Sequence, residues 1–283
     1  MDGGSSPWLQ TAPEVSRRSQ CNATRWRAVS LVVVTTTMFF ACRVSPLTNQ
    51  IEVGEEPFVI LVGEGEGGQT DLFAGSAAGG EMTRITFSRP HEWAPALDPT
   101  GGVVAFFRAP AGGDPRVVFM NLSSASEREL LIPPELGPPD RIGWSEDGSR
   151  LFLRFPNGLA TVQAPPAKGK VLVLTESEAG SAERALAVEI GWPVFGRVEM
   201  CREQPSSEEN QPLLCVVSPG HEPTTLTAGA HSPLRWGGDS VAYMVGTSLE
   251  IRPLGGGRAR RPTWTRMPQN PREPTYTPGA GEE

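Results

Sequence analysis

The sequence predicts an all-β fold, a β-propeller of about five four-stranded blades with a sixth left open. Three observations predict it. Leu97, Trp144, Trp192 and Trp236 recur at spacings of 47, 48 and 44 residues, each ahead of an apolar strand-length run. A period in the mid-forties with about four strands per unit is the mark of a propeller blade. The apolar runs of the body are four to eight residues long, and no stretch sustains a 3.6-residue period. Finally, 32 Gly and 28 Pro among 283 residues supply turns at a density that suits many short strands.

The repeating unit has two parts. PALDPTGGVVAFFR (95–108), IGWSEDGSRLFLRF (142–155) and LRWGGDSVAYMV (234–245) each run from a short apolar lead through a turn to an apolar strand. The Trp192 segment, IGWPVFGRVEMC, lacks the Asp-Gly turn. Between these lie strand-turn-strand segments: 70–86, 116–131, 158–175, 213–227 and 249–263. Five units follow, roughly 51–93, 94–140, 141–188, 189–231 and 232–262. A lone four-stranded sheet has two apolar faces and cannot bury both. Stacking sheets around an axis buries each between neighbours, and closing the ring protects the edges.

These motifs resemble TolB-like (WD40-like) repeats. In that family a Pro-x-Trp-Ser-Pro-Asp-Gly turn precedes a strand, then an Asp-Leu-Phe strand, then Gly-Gly-Glu and an Ile/Leu-Thr ending. This chain has Trp144-Ser145-Glu146-Asp147-Gly148, Asp71-Leu72-Phe73, Gly79-Gly80-Glu81, Ile85-Thr86 and Leu226-Thr227, with Asp98-Pro99-Thr100-Gly101 in altered order. The resemblance covers about three quarters of the chain. It implies an envelope protein that works through protein contacts, with no partner-binding residues that can be matched here.

The chain ends carry separate expectations. Residues 25–42, RWRAVSLVVVTTTMFFAC, place two Arg before an uncharged stretch and a Cys. Fourteen uncharged residues are short for a membrane span and suit a signal peptide. The ending resembles a bacterial lipoprotein signal with Cys42 as the lipidated residue, although Phe39 and Phe40 stand where Leu and a small residue are usual. An uncleaved anchor and an ordinary cleaved signal are the alternatives. Residues 1–42 are thus read as signal or anchor, with 1–14 a product of a start site placed too early. Residues 43–50 are read as a linker or closing strand, 51–262 as the propeller and 263–283 as a disordered tail. The expected location is the bacterial envelope, membrane-anchored, facing the periplasm or exterior.

Two cysteines, Cys201 and Cys215, lie on strands flanking a polar loop. They face each other if Glu199 faces Val217, and an oxidising compartment would let them bond. Buried free thiols are the other reading.

Charge and chemistry narrow the function. The net charge is −7, which gives no support to a nucleic-acid partner. The first 42 residues contribute +2, so the remainder is −9. Gly75-Ser76-Ala77-Ala78-Gly79 places its Ser wrongly for a nucleophile elbow. The three histidines, His91, His221 and His231, make no close-spaced ligand pair, so no metal site or cofactor is expected. Asp98, Glu146, Asp147 and Asp239 recur at the blade turns. With His91 they are the candidate binding residues of the channel rim, although turn formation alone accounts for the carboxylates. The expectation is a non-enzymatic binding protein whose partner is an envelope protein or peptide. The alternative is a propeller that binds or acts on a small molecule or peptide in its channel.

Overall fold

The computed structural model describes residues 45–278 apart from 49, 66, 165–170, 175–185, 187–189, 193–195, 202–211 and 219. The signal segment and Cys42 therefore lie outside the described residues. Among those described, the only helical turn is a 3-10 turn at Pro134–Leu136, and none is long and apolar enough to cross a membrane.

Five antiparallel sheets follow one another along the chain. The first contains β1 (Phe58–Glu64), β2 (Thr70–Ser76) and β4 (Thr83–Arg84), with the two-residue β3 (Gly80–Glu81) beside it. The second is β5 (His91–Leu97), β6 (Val103–Ala109), β7 (Arg116–Asn121) and β8 (Ser126–Leu131). The third is β9 (Arg141–Trp144), β10 (Arg150–Phe155), β11 (Gly158–Gln163) and β12 (Leu172–Val173). The fourth is β13 (Ile190–Trp192), β14 (Gly196–Cys201), β15 (Leu213–Val217) and β16 (Thr224–Ala228). The fifth has three strands, β17 (Ala230–Trp236), β18 (Ser240–Val245) and β19 (Ser248–Pro253). Its fourth place holds only one bridge, Ile251 to Arg260. β20 (Trp264–Thr265) then pairs in parallel with β3, and β21 (Gln269–Thr277) pairs with β1.

That last pairing closes the ring. β21 is the innermost strand of the first blade, whose other strands come from the start of the body, so both ends of the chain are laced into one sheet. The first strands of the blades line the axis: β5 lies against β21 and β9, and β17 lies against β13 and β21. Of the two readings of 43–50, linker or closing strand, the closing strand is corrected. Residues 46–48 form a turn, Leu47 is buried in the core between blades 1 and 2, and β1 takes β21 as its partner instead. The disordered tail from 263 is corrected too. Pro274-Thr275-Tyr276-Thr277-Pro278 repeats the Pro-x-large-polar-Pro spelling of Pro95-Ala96-Leu97-Asp98-Pro99 at the end of β5. Pro274 lies within the innermost strand of blade 1, and Pro278 directly follows it. The described body therefore runs from 45 to 278.

The cores show why the central strands are continuously apolar. On β1, Phe58, Ile60 and Val62 join Val104, Phe106 and Val118 of blade 2, while Val59 and Leu61 join Ala242, Met244 and Ile251 of blade 5. Alternate residues point to opposite faces, and both faces meet a neighbouring blade, so the usual apolar-polar alternation gives way to an unbroken run. Phe107, Phe119, Leu151 and Leu153 fill the gap between blades 2 and 3, and Val198, Leu214, Val241 and Tyr243 that between blades 4 and 5.

The tryptophans do not occupy matching places. Trp144 faces the preceding blade: its indole N–H donates to the Ala96 carbonyl at 3.0 Å, and its ring meets Phe119 edge-on at 6.0 Å. Trp236 faces the following blade and stacks on Tyr276 at 4.0 Å. The registers give the reason. Leu97 pairs with Val104 and Trp144 with Leu151, whereas the residue of β17 in that position is Arg235, opposite Val241. Trp236 is one residue later, and a shift of one residue turns a side chain to the other face. The sequence alignment at Trp236 was therefore displaced by one. On β21 the position of Leu97 and Trp144 belongs to Tyr276, opposite Val59. Trp192 ends β13, and its side chain lies outside the described residues.

Candidate functional site at the mouth of the channel

Three inner strands share one distortion. Ala94, Ser232 and Glu273 have φ near 50°, and each precedes a proline: Pro95, Pro233 and Pro274. The ladder shifts register at each of them. Proline cannot donate to the ladder, so a bulge is the natural place for it in a strand. The three bulges and the Arg141 end of β9 surround a cavity of about 350 Å³, open to solvent, with Leu186 on its wall.

The cavity carries both signs of charge. Arg141 is half-buried; burial holds its guanidinium below the ordinary arginine value, Arg154 opposite it in register adds to this, and Asp140 offsets part. Its guanidinium donates to the Leu186 carbonyl at 3.3 Å. Among the described residues no carboxylate lies within ion-pair distance of it. Asp140 is held by Arg154 at 2.7 Å, which pulls its carboxyl below the usual range. Glu273 accepts the Ala94 N–H at 2.5 Å, tying β21 to β5. His231 Nδ1 stands 3.2 Å from the Ser232 hydroxyl. The unusual backbone of Ser232 is shared by Ala94 and Glu273, so it belongs to the bulge and does not mark a nucleophile.

The five rim residues singled out from sequence are not gathered into one site. His91 is the first residue of β5 and Asp98 follows its last, so the two stand at opposite ends of one strand. Asp98, Glu146, Asp147 and Asp239 all lie in turns between the first and second strands of their blades. Three of these carboxylates serve the turns. Asp98 accepts the Val103 N–H at 2.7 Å and the Thr100 hydroxyl at 2.6 Å. Asp147 accepts the Ser145 hydroxyl at 2.6 Å and the Ser149 N–H at 3.0 Å, bonds that lower its pKa to about 2. Asp239 accepts the Ser240 hydroxyl at 2.9 Å. Glu146 is exposed. Among the described residues no three potential ligands converge as a metal site.

Sequence reasoning missed a second charged cluster, between blades 1 and 2. Glu92 is fully buried. Its carboxylate accepts from the Thr86 hydroxyl, the Ser88 hydroxyl at 2.7 Å and Arg108 Nε at 2.9 Å. Arg108 also meets Glu127 at 2.7 Å and Glu129 at 2.9 Å. Burial pushes the Glu92 carboxyl up, and the hydroxyls and Arg108 pull it partly back. Thr70 completes the seam, donating to the Glu92 carbonyl at 2.7 Å and accepting the Glu92 N–H at 3.0 Å. The only hint in the sequence was the charged pair Glu92 and Arg108 on strands that are otherwise apolar.

Cys201 and Cys215 are joined as a disulfide, Cα atoms 5.8 Å apart. The register differs from the expected one: Glu199 pairs with Cys215 and Cys201 with Leu213. The cysteines are diagonal neighbours on one face of the hairpin, two positions from facing.

Strand order and closure define the molecule as a five-bladed β-propeller. Among solved structures it is similar to TolB from Acinetobacter baumannii, at 15% identity over 82% of this chain and 69% of that chain, TM-score 0.39. It is also similar to the β-propeller domain of the Trilobed protease from Pyrococcus furiosus, at 12% identity over 73% and 64%, TM-score 0.32. A third is a putative 6-phosphogluconolactonase from Bacteroides uniformis, at 14% identity over 80% and 72%, TM-score 0.31. No family model and no curated protein matches the sequence.

Proposed function

We propose that this protein is a non-catalytic binding propeller of the bacterial cell envelope, which takes a protein or peptide at the mouth of its channel. The observation that carries this reading is the channel mouth itself. A ring of backbone fixed by three proline bulges presents a half-buried Arg141 beside Glu273 in a cavity of about 350 Å³. A rigid scaffold presenting polar groups in a concave site suits recognition. Arg141 is placed to pair with a carboxylate of the bound chain, and Glu273 with its cationic groups.

Two further features support export. The stretch ending at Cys42 has the form of a lipoprotein signal, and a disulfide suits an oxidising compartment.

The binding reading is tested with a photo-reactive residue in place of Ser232 in the full chain, expressed in cells. A discrete cross-linked protein that Arg141→Glu abolishes is expected. Labelling that Arg141→Glu leaves unchanged removes the channel mouth as the site. Mass spectrometry of the mature N-terminus tests the anchor: a diacylglyceryl group on Cys42 is expected, and an unmodified Cys42 inside an intact chain rejects it. Thiol titration of the denatured protein without reductant is expected to find Cys201 and Cys215 unreactive. Two reactive thiols there would remove the oxidising compartment.

A further inference from the structure

From Arg252 to Arg266 the chain reads RPLGGGRARRPTWTR, five arginines with no acidic residue. The protein carries −7 overall, so this stretch contributes +5 and the rest −12. Most of it runs along the outer edge of blade 5, where a fourth strand would lie, bridging β19 only between Ile251 and Arg260.

Arg258, Ala259, Arg260 and Arg261 are all exposed, as are Gly255–Gly257 before them. Two arginines are matched by carboxylates: Arg261 pairs with Glu250 and Arg266 with Glu81. Arg252 donates to the Leu226 carbonyl. Arg258 and Arg260 have no carboxylate within ion-pair distance among the described residues, and Arg260 lies 6.0 Å over the Trp236 ring.

We infer that this arginine-rich edge of blade 5 is a surface for anionic phospholipid headgroups. Two observations favour lipid over a protein partner. Trp264, the one aromatic residue of the stretch, is buried with Ile251 in the core between blades 5 and 1, and Leu254 is half-buried against the core between blades 4 and 5. The surface therefore lacks the exposed aromatic anchors that concentrate energy in protein interfaces. The residues between and before the arginines are Ala and Gly, so nothing bulky holds the guanidinium groups off a flat, charged surface. All the cations are arginines, whose planar guanidinium matches phosphate oxygens in pairs as well as it matches carboxylates. The −12 on the rest of the chain orients the molecule, since this edge is attracted to a negative surface that repels the remainder as a whole. The membrane is within reach if the chain is anchored as proposed above, and to that extent the inference rests on that reading.

The test separates the two. Residues 45–283 contain both halves of the closing blade and every core described above and carry no lipid; a cooperative thermal transition of this fragment is the control for its folding. Their co-sedimentation is measured with phosphatidylglycerol–phosphatidylcholine vesicles and with vesicles of phosphatidylcholine alone. Binding to the anionic vesicles only, lost in 0.5 M salt, is expected. Each arginine near an anionic surface is worth about five-fold in partition. Arg258→Gln with Arg260→Gln should therefore weaken binding about 25-fold, while Arg150→Gln on blade 3 leaves it unchanged. Equal binding to both vesicles, no binding to either, or an unaltered double variant overturns the inference. So does binding to soluble polyglutamate with none to vesicles, which points to an acidic protein instead. None of these results depends on whether Cys42 is lipidated.

Discussion

Asp147 and Glu92 are both carboxylates held by hydroxyls, and they do opposite work. The partners of Asp147 are Ser145 and Ser149, two residues away on either side, in an exposed turn of blade 3. Those of Glu92 lie on the link between blades 1 and 2 and on β6, and the group is sealed from water. Local bonds in water stabilise the charged form and hold the Asp147 pKa at about 2. Burial pushes the Glu92 carboxyl the other way, above its ordinary value, despite four donor contacts. The difference is one of reach. Asp147 shapes six residues, whereas Glu92 ties strands from two blades into a seam.

If seams between blades carry the stability, closure should matter most. Removing residues 264–283 takes away β20 and β21, opening blade 1 and exposing Phe58–Val62 on the side of the axis. The shortened chain should lose its cooperative thermal transition and its near-ultraviolet circular dichroism. A truncated protein with both intact would show that β21 is ornamental.

The next largest effect should follow Glu92→Ala. It leaves a buried guanidinium with one carboxylate fewer and strands the Thr86 and Ser88 hydroxyls, at a cost of about 3 kcal/mol. Urea unfolding measures it. A loss under about 1 kcal/mol would mean that water replaces the carboxylate and that the seam is not a lock. Replacing Glu92 and Arg108 together by Met and Leu should recover part of the loss, since a buried ion pair removed whole costs less than one broken.

Trp144→Ala tests an apolar seam beside the polar one. The side chain is half-buried, so about 2 kcal/mol is expected, below the range for a fully buried Trp. The same change at Trp236, which is buried and stacked on Tyr276, should cost about 4 kcal/mol. Equal losses would undo the difference in burial between the two indoles.

Asp147→Asn should be the mildest at neutral pH, and its effect should depend on acid. The folded pKa is lowered to about 2 from 3.8. The stabilisation from ionised Asp147 is thus present above 3.8 and disappears as pH falls toward 2. Between pH 5 and pH 2 the melting temperature of the variant should fall less than that of the wild type. Parallel falls would show that the turn does not need the charge.

Much of the fold was legible because it depends on local order. The mid-forties period, the strand-length apolar runs and the Asp-Gly turns follow from neighbours along the chain, and the five blades and the turn chemistry of Asp98 and Asp147 could be read there. The candidate site was not legible. Its members, Ala94, Arg141, Ser232 and Glu273, sit on four strands spread over 180 residues, and three of them signal themselves only by a following proline. The same proline-rich spelling at 274–279 looked like a tail, because nothing in the sequence says which strand lies beside β1.

The sequence by itself determined most of the strands, their turns and a count of about five blades, with a sixth left open and β21 read as tail. A run such as FVILV is committed to burial on both faces whatever surrounds it, and an Asp before a Gly turn finds its partners within a few residues. Only the tertiary structure decided how the ring closes, which way Trp144 and Trp236 point, and where the charges of Glu92, Arg108 and Arg141 meet their partners. Those outcomes depend on register between segments far apart in sequence. A shift of one residue there reverses the facing of a side chain while leaving the pattern of apolar residues almost unchanged.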